Sequence, residues 1–343
     1  MLNQRIDTNP PESCLTRWNG ETWEEYFIRL CENKNKYEVT YSEIAKLLNA
    51  ENGKNFGESA YRKRFAEFNR GRIYEREHSQ VYVAQRVLAV SDFHVPFQLP
   101  VNMFNKYAGA VDILVINGDV LDCQSISSFP KKYRIGLVDE MIQARQYLMD
   151  IIDLIQPRKV IITKGNHEHR LLRYLSEKLN EDLLNLMPDS PMDLIINDGF
   201  KNNDRFKKTE VYYSPLRDIY EEQNIIIEYT GEWYCRVGNV IFAHPLAYSS
   251  SMMKTAEKAV TFFSRSEADR SFTTIIMSHT HKVGFYKVGD IKMYEQGCCC
   301  KLDQLDYADG KLQDPQQNGY MYISLNKDGN IIEDRTKLIT TIN

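Results

Sequence analysis

The decisive stretch is Lys159-Val160-Ile161-Ile162-Thr163, followed directly by Lys164-Gly165-Asn166-His167-Glu168. The β-branched run reads as a buried strand, and the glycine behind it turns the chain so that Asn166 and His167 stand at the strand's end. The pattern recurs in both directions. Upstream, residues 86–90 run into Ser91-Asp92-Phe93-His94, and residues 112–116 into Asn117-Gly118-Asp119. Downstream, residues 239–243 end in His244, and residues 274–277 in Ser278-His279-Thr280-His281. Each of these strands terminates in a side chain able to hold a metal ion, and ligand sites collect at the ends of neighbouring strands in α/β sheets. The chain has seven histidines, and all but His78 lie in or beside these endings. A lone histidine at a strand end is ordinarily structural; five such endings in order imply one cluster of Asp, His and Asn at a sheet edge.

In chain order the blocks are Asp92-Phe93-His94, Gly118-Asp119 with Asp122, Gly165-Asn166-His167-Glu168, His244, and His279-Thr280-His281. This series, over roughly residues 84 to 300, resembles the calcineurin-like metallophosphoesterases, whose signature is D-x-H, G-D-x-x-D, G-N-H-[DE], a lone His and G-H-x-H. Ser278 stands where the last block usually has glycine, and a small residue still permits close approach. The resemblance implies an α/β (α+β) fold, a four-layer β-sandwich flanked by helices, holding two divalent metal ions. It places Asp119 as the bridging carboxylate, Asp92, His94 and His281 with one ion, and Asn166, His244 and His279 with the other. It gives His167 the task of protonating or stabilising the leaving oxygen. Asp122 then either orients His167 or is a structural cap. Such a pair of ions, about 3.5–4 Å apart, attacks a phosphoester with a bridging hydroxide and neutralises the phosphoryl oxygens. Mixed His, Asp and Asn ligands suit Mn²⁺, Fe or Zn better than Ca²⁺ or Mg²⁺, and Mn²⁺ is the expectation.

Composition sets outer bounds. With 343 residues, 43% hydrophobic and 26% charged, the chain can bury one large core and carry an accessory module. A formal charge of −4 excludes a generally basic nucleic-acid coat, so any DNA contact is local. Seven cysteines in no paired pattern point to a reducing compartment. The run Cys298-Cys299-Cys300 reads first as buried small apolar residues. The first seven residues start no signal peptide, and no apolar run approaches ~18 residues. A cytoplasmic protein that makes no use of a membrane is expected.

Residues 1–20 read as a leader, 21–76 as a small helical domain and 81–343 as the catalytic domain, with the boundary near residues 73–80. Trp23, Tyr26, Phe27 and Leu30 share one helix face, and Thr40-Tyr41-Ser42-Glu43 has the form of a capping box. After a turn-rich stretch, 49–53, a basic helix begins near Ser59; the unit looks like a helix-turn-helix or winged-helix module. Arg62, Lys63, Arg64, Arg70 and Arg72, with Arg76, are the expected phosphate contacts, opposed only by Glu67, Glu75 and Glu77. The bland alternative is a solvated helical bundle that docks on the catalytic domain or on a partner protein; the expected partners are DNA and, beside it, a partner protein or a second copy in a homodimer.

In the catalytic half the spacing predicts helices over 138–155, 171–186 and 252–264. It predicts a hairpin of 225–227 with 234–237 around Gly231, strands over 285–288 and 292–295, and a hairpin of 321–325 with 331–333. Arg170, Arg173 and Lys178 are candidate phosphate-steering charges. The polar segment 201–222 lacks periodicity and is a candidate substrate-selecting loop. Ser249-Ser250-Ser251 reads as helix capping rather than phosphate binding. The favoured function is a DNA nuclease or nucleic-acid phosphodiesterase resembling the Mre11/SbcD-like and phage-encoded members of the family. The alternative is a phosphatase acting on nucleotides or phosphoproteins, its N-terminal module used for docking. Cys123-Gln124 follow Asp122 where Ser/Thr protein phosphatases carry a phosphate-gripping Arg, which argues against that branch.

Overall fold

Strands β1 (Gln85–Val90), β2 (Ile113–Asn117) and β3 (Lys159–Thr163) run parallel and in register. They are almost wholly buried, as parallel strands covered on both faces must be. The computed structural model describes residues 12–78, 82–128, 134–204, 209–265, 271–304 and 316–340. Beyond β3, a separate hairpin pairs β4 (Phe200–Asp204) with β5 (Thr209–Tyr213), and β6 (Ile226–Tyr229) then returns beside β3. A second sheet follows, built from β7 (Tyr234–Val237), β8 (Val240–Ala243), β9 (Thr274–Met277), β10 (Val283–Val288) and β11 (Ile291–Gln296), in the order β10-β11-β9-β8-β7. The chain then rejoins the first sheet through β12 (Tyr320–Leu325) and β13 (Lys337–Ile339), giving β13-β12-β1-β2-β3-β6.

Alternation along the strands divides the side chains between layers. Val87, Ala89, Val115 and Ile161 meet Val240, Phe242 and Ile276 between the two sheets. Leu88, Val90, Leu114, Ile116 and Ile162 point the other way, onto Ala144, Leu148 and Ile152 of the helix Leu137–Ile155. On the far side, Ile241, Ala243 and Ile275 pack on Ala256, Ala259 and Phe263 of the helix Lys254–Arg265. Each fully buried Ile or Leu contributes about 1.5–3 kcal/mol of transfer free energy. The result is helix, sheet, sheet, helix: the expected four-layer sandwich.

The helices Trp23–Glu32, Tyr41–Asn52 and Glu58–His78 precede it. Thr22 and Thr40 form capping boxes with Glu25 and Glu43. Arg29 pins this unit from inside, 2.7 Å from Glu21 and stacked over the Trp18 ring. Its apolar face, including Tyr26, Phe27, Leu30 and Leu48, is continuous with the core of the first sheet. Lys36 Nζ donates to the Gln156 carbonyl (2.7 Å), and Tyr37 Oη to that of Ala108 (3.4 Å). Both acceptors precede the starts of β2 and β3.

Several sequence expectations need correction. Tyr234–Val237 does not form a hairpin with Ile226–Tyr229: the chain crosses at Gly231 from one sheet to the other, and the real hairpin is β7 with β8. The stretch 171–186 is two helices, Arg170–Ser176 and Glu181–Leu184, because Asn180 caps a new start by accepting from the Leu183 N–H. Residues 201–222 are not one loop; they hold most of the β4–β5 hairpin and the helix Leu216–Glu221, with residues 205–208 outside the described ones. Helix runs through 49–52 to a left-handed Gly53, with Asn49 accepting from the Phe56 N–H and Tyr61 Oη. It also continues through the charged stretch 73–78, whose Arg- and Glu-rich composition favours helix. Residues 331–333 contribute only an isolated bridge, and β12 pairs with β13 instead. Within the expected leader, Cys14 and Trp18 are buried under Arg29, while residues 1–11 lie outside the described ones, as do 79–81 at the expected boundary.

Candidate metal centre

The parallel register brings strand ends level, with Val90, Ile116 and Ile162 aligned in one sheet and Ala243 with Met277 in the other. The turns beyond them converge. One donor atom from each of Asp92, His94 and His281 lies within 4.8 Å of the others, and the same holds for Asp119, His244 and His279. Asn166 Oδ1 is 3.1 Å from His244 Nε2. Asp119 Oδ2 stands between the two groups, 3.3 Å from His244 Nε2 and 3.6 Å from His94 Nε2. All seven side chains expected as ligands therefore meet in one pocket. Five are buried; Asn166 and His279 are half-buried and mark its open side.

The donor set fits divalent ions. His94 Nε2 and His281 Nε2 face each other at 3.0 Å. Asp92 Oδ1 and His279 Nε2 are buried without a well-formed hydrogen bond, Oδ1 facing only imidazole nitrogens, the nearest being His281 Nε2 at 3.2 Å, and a cation would satisfy both. His244 Nδ1 lies 2.7 Å from the Asn117 carbonyl and must donate to it, which leaves the Nε2 lone pair for a ligand. Asn117 in turn donates to the Ala243 carbonyl and to Ser278 Oγ (2.7 Å) and accepts from Thr163 Oγ1. The Ser278 hydroxyl thus joins a network that ties both sheets together behind the pocket.

The backbone is strained where the ligands sit. Asp92, His94, Asp119, His279 and His281 have φ between 47° and 75°, in the left-handed region that costs an L-residue about 1–3 kcal/mol. Gly165 packs so closely that a Cβ there would lie 2.1 Å from Asp119 Oδ1. Beside it Glu168 accepts from the backbone N–H groups of Gly165 (2.9 Å), Asp119 (3.1 Å) and Leu121 (3.0 Å), fastening two turns to each other. The sequence reading gave Glu168, Asn117 and Glu140 no role. Glu140 holds the Cys123 and Gln124 N–H groups, fixing the chain beyond Asp122. The four-residue motif was the available signal for Glu168; Asn117 and Glu140 offered none.

His167 is held on three sides. Its N–H donates to Asp119 Oδ1 (2.9 Å), and its Nδ1 lies 3.0 Å from both the carbonyl and Oδ1 of Asp122. Both neighbours of Nδ1 are acceptors, so Nδ1 carries the proton. Nε2 then accepts from Arg170 Nη2 at 2.8 Å, while Arg170 Nη1 donates to the Asp122 carbonyl (2.6 Å). Arg170 is thus no solvated lip charge but a buried partner of His167, a contact no local sequence pattern announces.

Charge follows this layout. Burial works against ionised Asp92 and Asp119, yet the facing histidines outweigh it: Asp92 is lowered to about 2 and Asp119 well below the usual range. Burial likewise opposes protonation of His244 and His281, but the nearby acidic groups, Asp119 and Asp92 for His244 and chiefly Cys298 and Asp92 for His281, raise them to about 10 and about 9. Burial lowers His94 and His279 to about 4 and about 3. Raised histidines stabilise the metal-free fold fully below their ordinary value near ~6.5, and that contribution is lost as pH rises through about 9–10. A metal ion must displace the same protons. The rise in melting temperature on adding Mn²⁺ is therefore expected to grow between pH 6.5 and 9; a pH-independent rise, measured by thermal melts in matched buffers, would contradict this charge layout.

The basic helix is less free than its sequence suggests. Arg64 lies 3.9 Å from Glu24 and stacks over Trp23, Arg72 pairs with Glu32, and Arg62 is 3.7 Å from Glu58. Among the described residues the opposing carboxylates are Glu24 and Glu32, at the two ends of this unit's helix Trp23–Glu32, and Glu58; the side chains of Glu75, Arg76 and Glu77 lie outside the described ones. Among the described residues, Lys63 and Arg70 are the exposed members of the expected five without a carboxylate partner.

Residues 11–80 match the model of the YonJ N-terminal domain, and residues 85–283 that of the calcineurin-like phosphoesterases. Over 63 residues, 18% of this chain, there is 46% identity to the SPbeta prophage-derived uncharacterized protein YonJ of Bacillus subtilis (strain 168); the match spans 16% of that relative. Similar solved structures include vacuolar protein sorting 29 from Cryptosporidium parvum (13% identity, 76% of this chain, 100% of that one, TM-score 0.34). An archaeal phosphodiesterase is another (15% identity, 75% and 99% covered, TM-score 0.31). Since the phosphoesterase model spans residues 85–283, more than half of the 343, the chain belongs to the calcineurin-like phosphoesterase family.

Proposed function

We propose that this metal-dependent hydrolase cleaves phosphodiester bonds of DNA. The observation that carries the hydrolytic part is the convergence of seven donors on one half-open pocket, with Asp119 Oδ2 between the two groups. Two divalent ions bound there would activate a water and neutralise phosphoryl charge, and this donor set suits Mn²⁺, Fe or Zn. The chain's own contribution is positional. Asp122 holds the His167 proton on Nδ1, and Arg170 occupies Nε2. An incoming phosphate that attracts the guanidinium frees the Nε2 lone pair to take up a proton from solvent, which His167, its Nδ1–H held by Asp122, would then give to the leaving oxygen while Arg170 holds an anionic one.

DNA as substrate is supported by the exposed cations Lys63 and Arg70 of the helix Glu58–His78, and the likeness to a prophage-derived protein favours a phage origin and work in the bacterial cytoplasm. No helix among the described residues is long and apolar enough to cross a membrane. The internal pairing of Arg64 and Arg72 favours a second reading, a phosphatase for nucleotides or phosphoproteins whose N-terminal helices serve packing and docking.

A side-by-side assay with Mn²⁺ separates the two, using linear, nicked and single-stranded DNA, a nucleotide panel and a simple phosphomonoester. DNA cleavage is expected; fast monoester turnover with intact DNA would support the phosphatase. Removing the N-terminal unit would strip the core, so the surface is better tested by Lys63→Gln with Arg70→Gln. That pair should weaken DNA binding and reduce the salt slope by about two while sparing a small diester. An unchanged slope favours docking.

A further inference from the structure

We propose that His281, Cys298 and Cys300 form a thiophilic metal site that adjoins the hydrolytic centre and shares one imidazole with it. The three side chains are buried, and one donor atom from each lies within 4.8 Å of the others. Donors around a tetrahedral zinc, ~2.0–2.3 Å from the ion, stand about 3.5–4 Å apart, so the trio closes on an ion with small movements.

The cysteine run is divided by the alternation of extended chain. Cys299 faces the main core, its Sγ 3.6 Å from the Gly319 carbonyl. Cys298 and Cys300 turn the other way into a small cluster with Phe97 and Leu302. Asn318 clamps both: its amide donates to the carbonyls of Cys298 (3.2 Å) and Cys300 (2.7 Å) and reaches within 3.6 Å of Cys298 Sγ. Bridges from Gln98 to Cys300 and from Cys298 to Asn318 hold the pair between two segments. A hydrogen-bond donor beside sulfur is the kind of support that orients metal thiolates.

Two thiols and an imidazole make a Cys₂His set. It takes Zn²⁺, Cd²⁺ or Cu⁺ in preference to Mn²⁺ or Mg²⁺, releasing both S–H protons to solvent and leaving a fourth position for water. His281 also faces Asp92, with Nε2 3.2 Å from Oδ1. An ion on the sulfurs therefore draws on a side chain of the hydrolytic centre. Binding at the sulfurs stands on its own geometry; only this coupling rests on the hydrolytic reading.

The test is a Cd²⁺ titration of the full-length protein preloaded with Mn²⁺, followed by ultraviolet absorbance and by hydrolysis. Wild type should develop a thiolate-to-metal charge-transfer band that saturates near one equivalent. Cys298→Ser and Cys300→Ser should each weaken binding at least about tenfold, with Cys299→Ser unchanged. Hydrolysis should fall as the band rises, and the Cys298 and Cys300 variants should resist. No band in wild type overturns the site whatever the variants do, and so does a band that follows Cys299 instead. A band with undiminished hydrolysis overturns the shared imidazole alone.

Discussion

Gly165→Ala is expected to give a protein that retains neither metal nor hydrolytic activity. The added Cβ, whose position the backbone dictates, would lie 2.1 Å from Asp119 Oδ1, 2.3 Å from Asp119 N and 2.7 Å from Glu168 Oε2. Rotating Asp119 relieves only the first contact, and does so by giving up its bond from the His167 N–H, while no side-chain rotation relieves the contact with the Asp119 backbone N. Moving the Asp119 backbone instead breaks the ladder of turns in which His94 N–H donates to the Asp119 carbonyl and Asp92 N–H to that of Gly118, both at 3.1 Å. Overpacking of this kind costs about 1–3 kcal/mol in a core and more where backbone must shift. Metal content after dialysis and a thermal melt should both drop, whereas Gly57→Ala, where a Cβ meets nothing within 4 Å, should leave both alone. A Gly165→Ala protein with wild-type metal content would show that the close packing of these turns is not what holds the centre.

Asp119→Asn should leave the fold intact and lower kcat/KM by at least about a thousand-fold. The amide oxygen can keep the bond from the His167 N–H, now 2.9 Å from Oδ1. Its NH₂ then points to where Oδ2 faced His244 and His94, and an amide nitrogen there donates hydrogen instead of offering lone pairs. The loss of one bridging charge removes several kcal/mol of transition-state stabilisation, each 1.36 kcal/mol being tenfold in rate. Steady-state kinetics with saturating Mn²⁺ decide it; a loss below tenfold would exclude Asp119 from a bridging position.

What could be read from the sequence was whatever lies next to its own strand. Asp92, Asp119, Asn166, His244 and His279 each follow a buried run within a few residues, so strand pattern and donor type were visible together. The level register of those strands then brought the donors together in space. Pairing between distant segments was not visible. Residues 225–237 show the same alternation whether Gly231 closes a hairpin or passes the chain to the opposite sheet, and only the core between the sheets decides. Arg170 looked like any helix cation, because its partner Asp122 lies 48 positions away. Lys36 and Tyr37 dock on carbonyls of Gln156 and Ala108, and a carbonyl carries no residue-type signal at all.

The left-handed turns have a bearing on how relatives of this chain should be interpreted. Aspartate, asparagine and histidine are the non-glycine residues that best tolerate positive φ, and they are also the ones a divalent ion selects. Two independent pressures thus choose the same small alphabet at Asp92, His94, Asp119, His279 and His281. A descendant that abandoned catalysis could keep these letters for conformational reasons alone. At such positions an intact motif testifies first to the shape of the main chain, and occupancy and turnover have to be established by measurement.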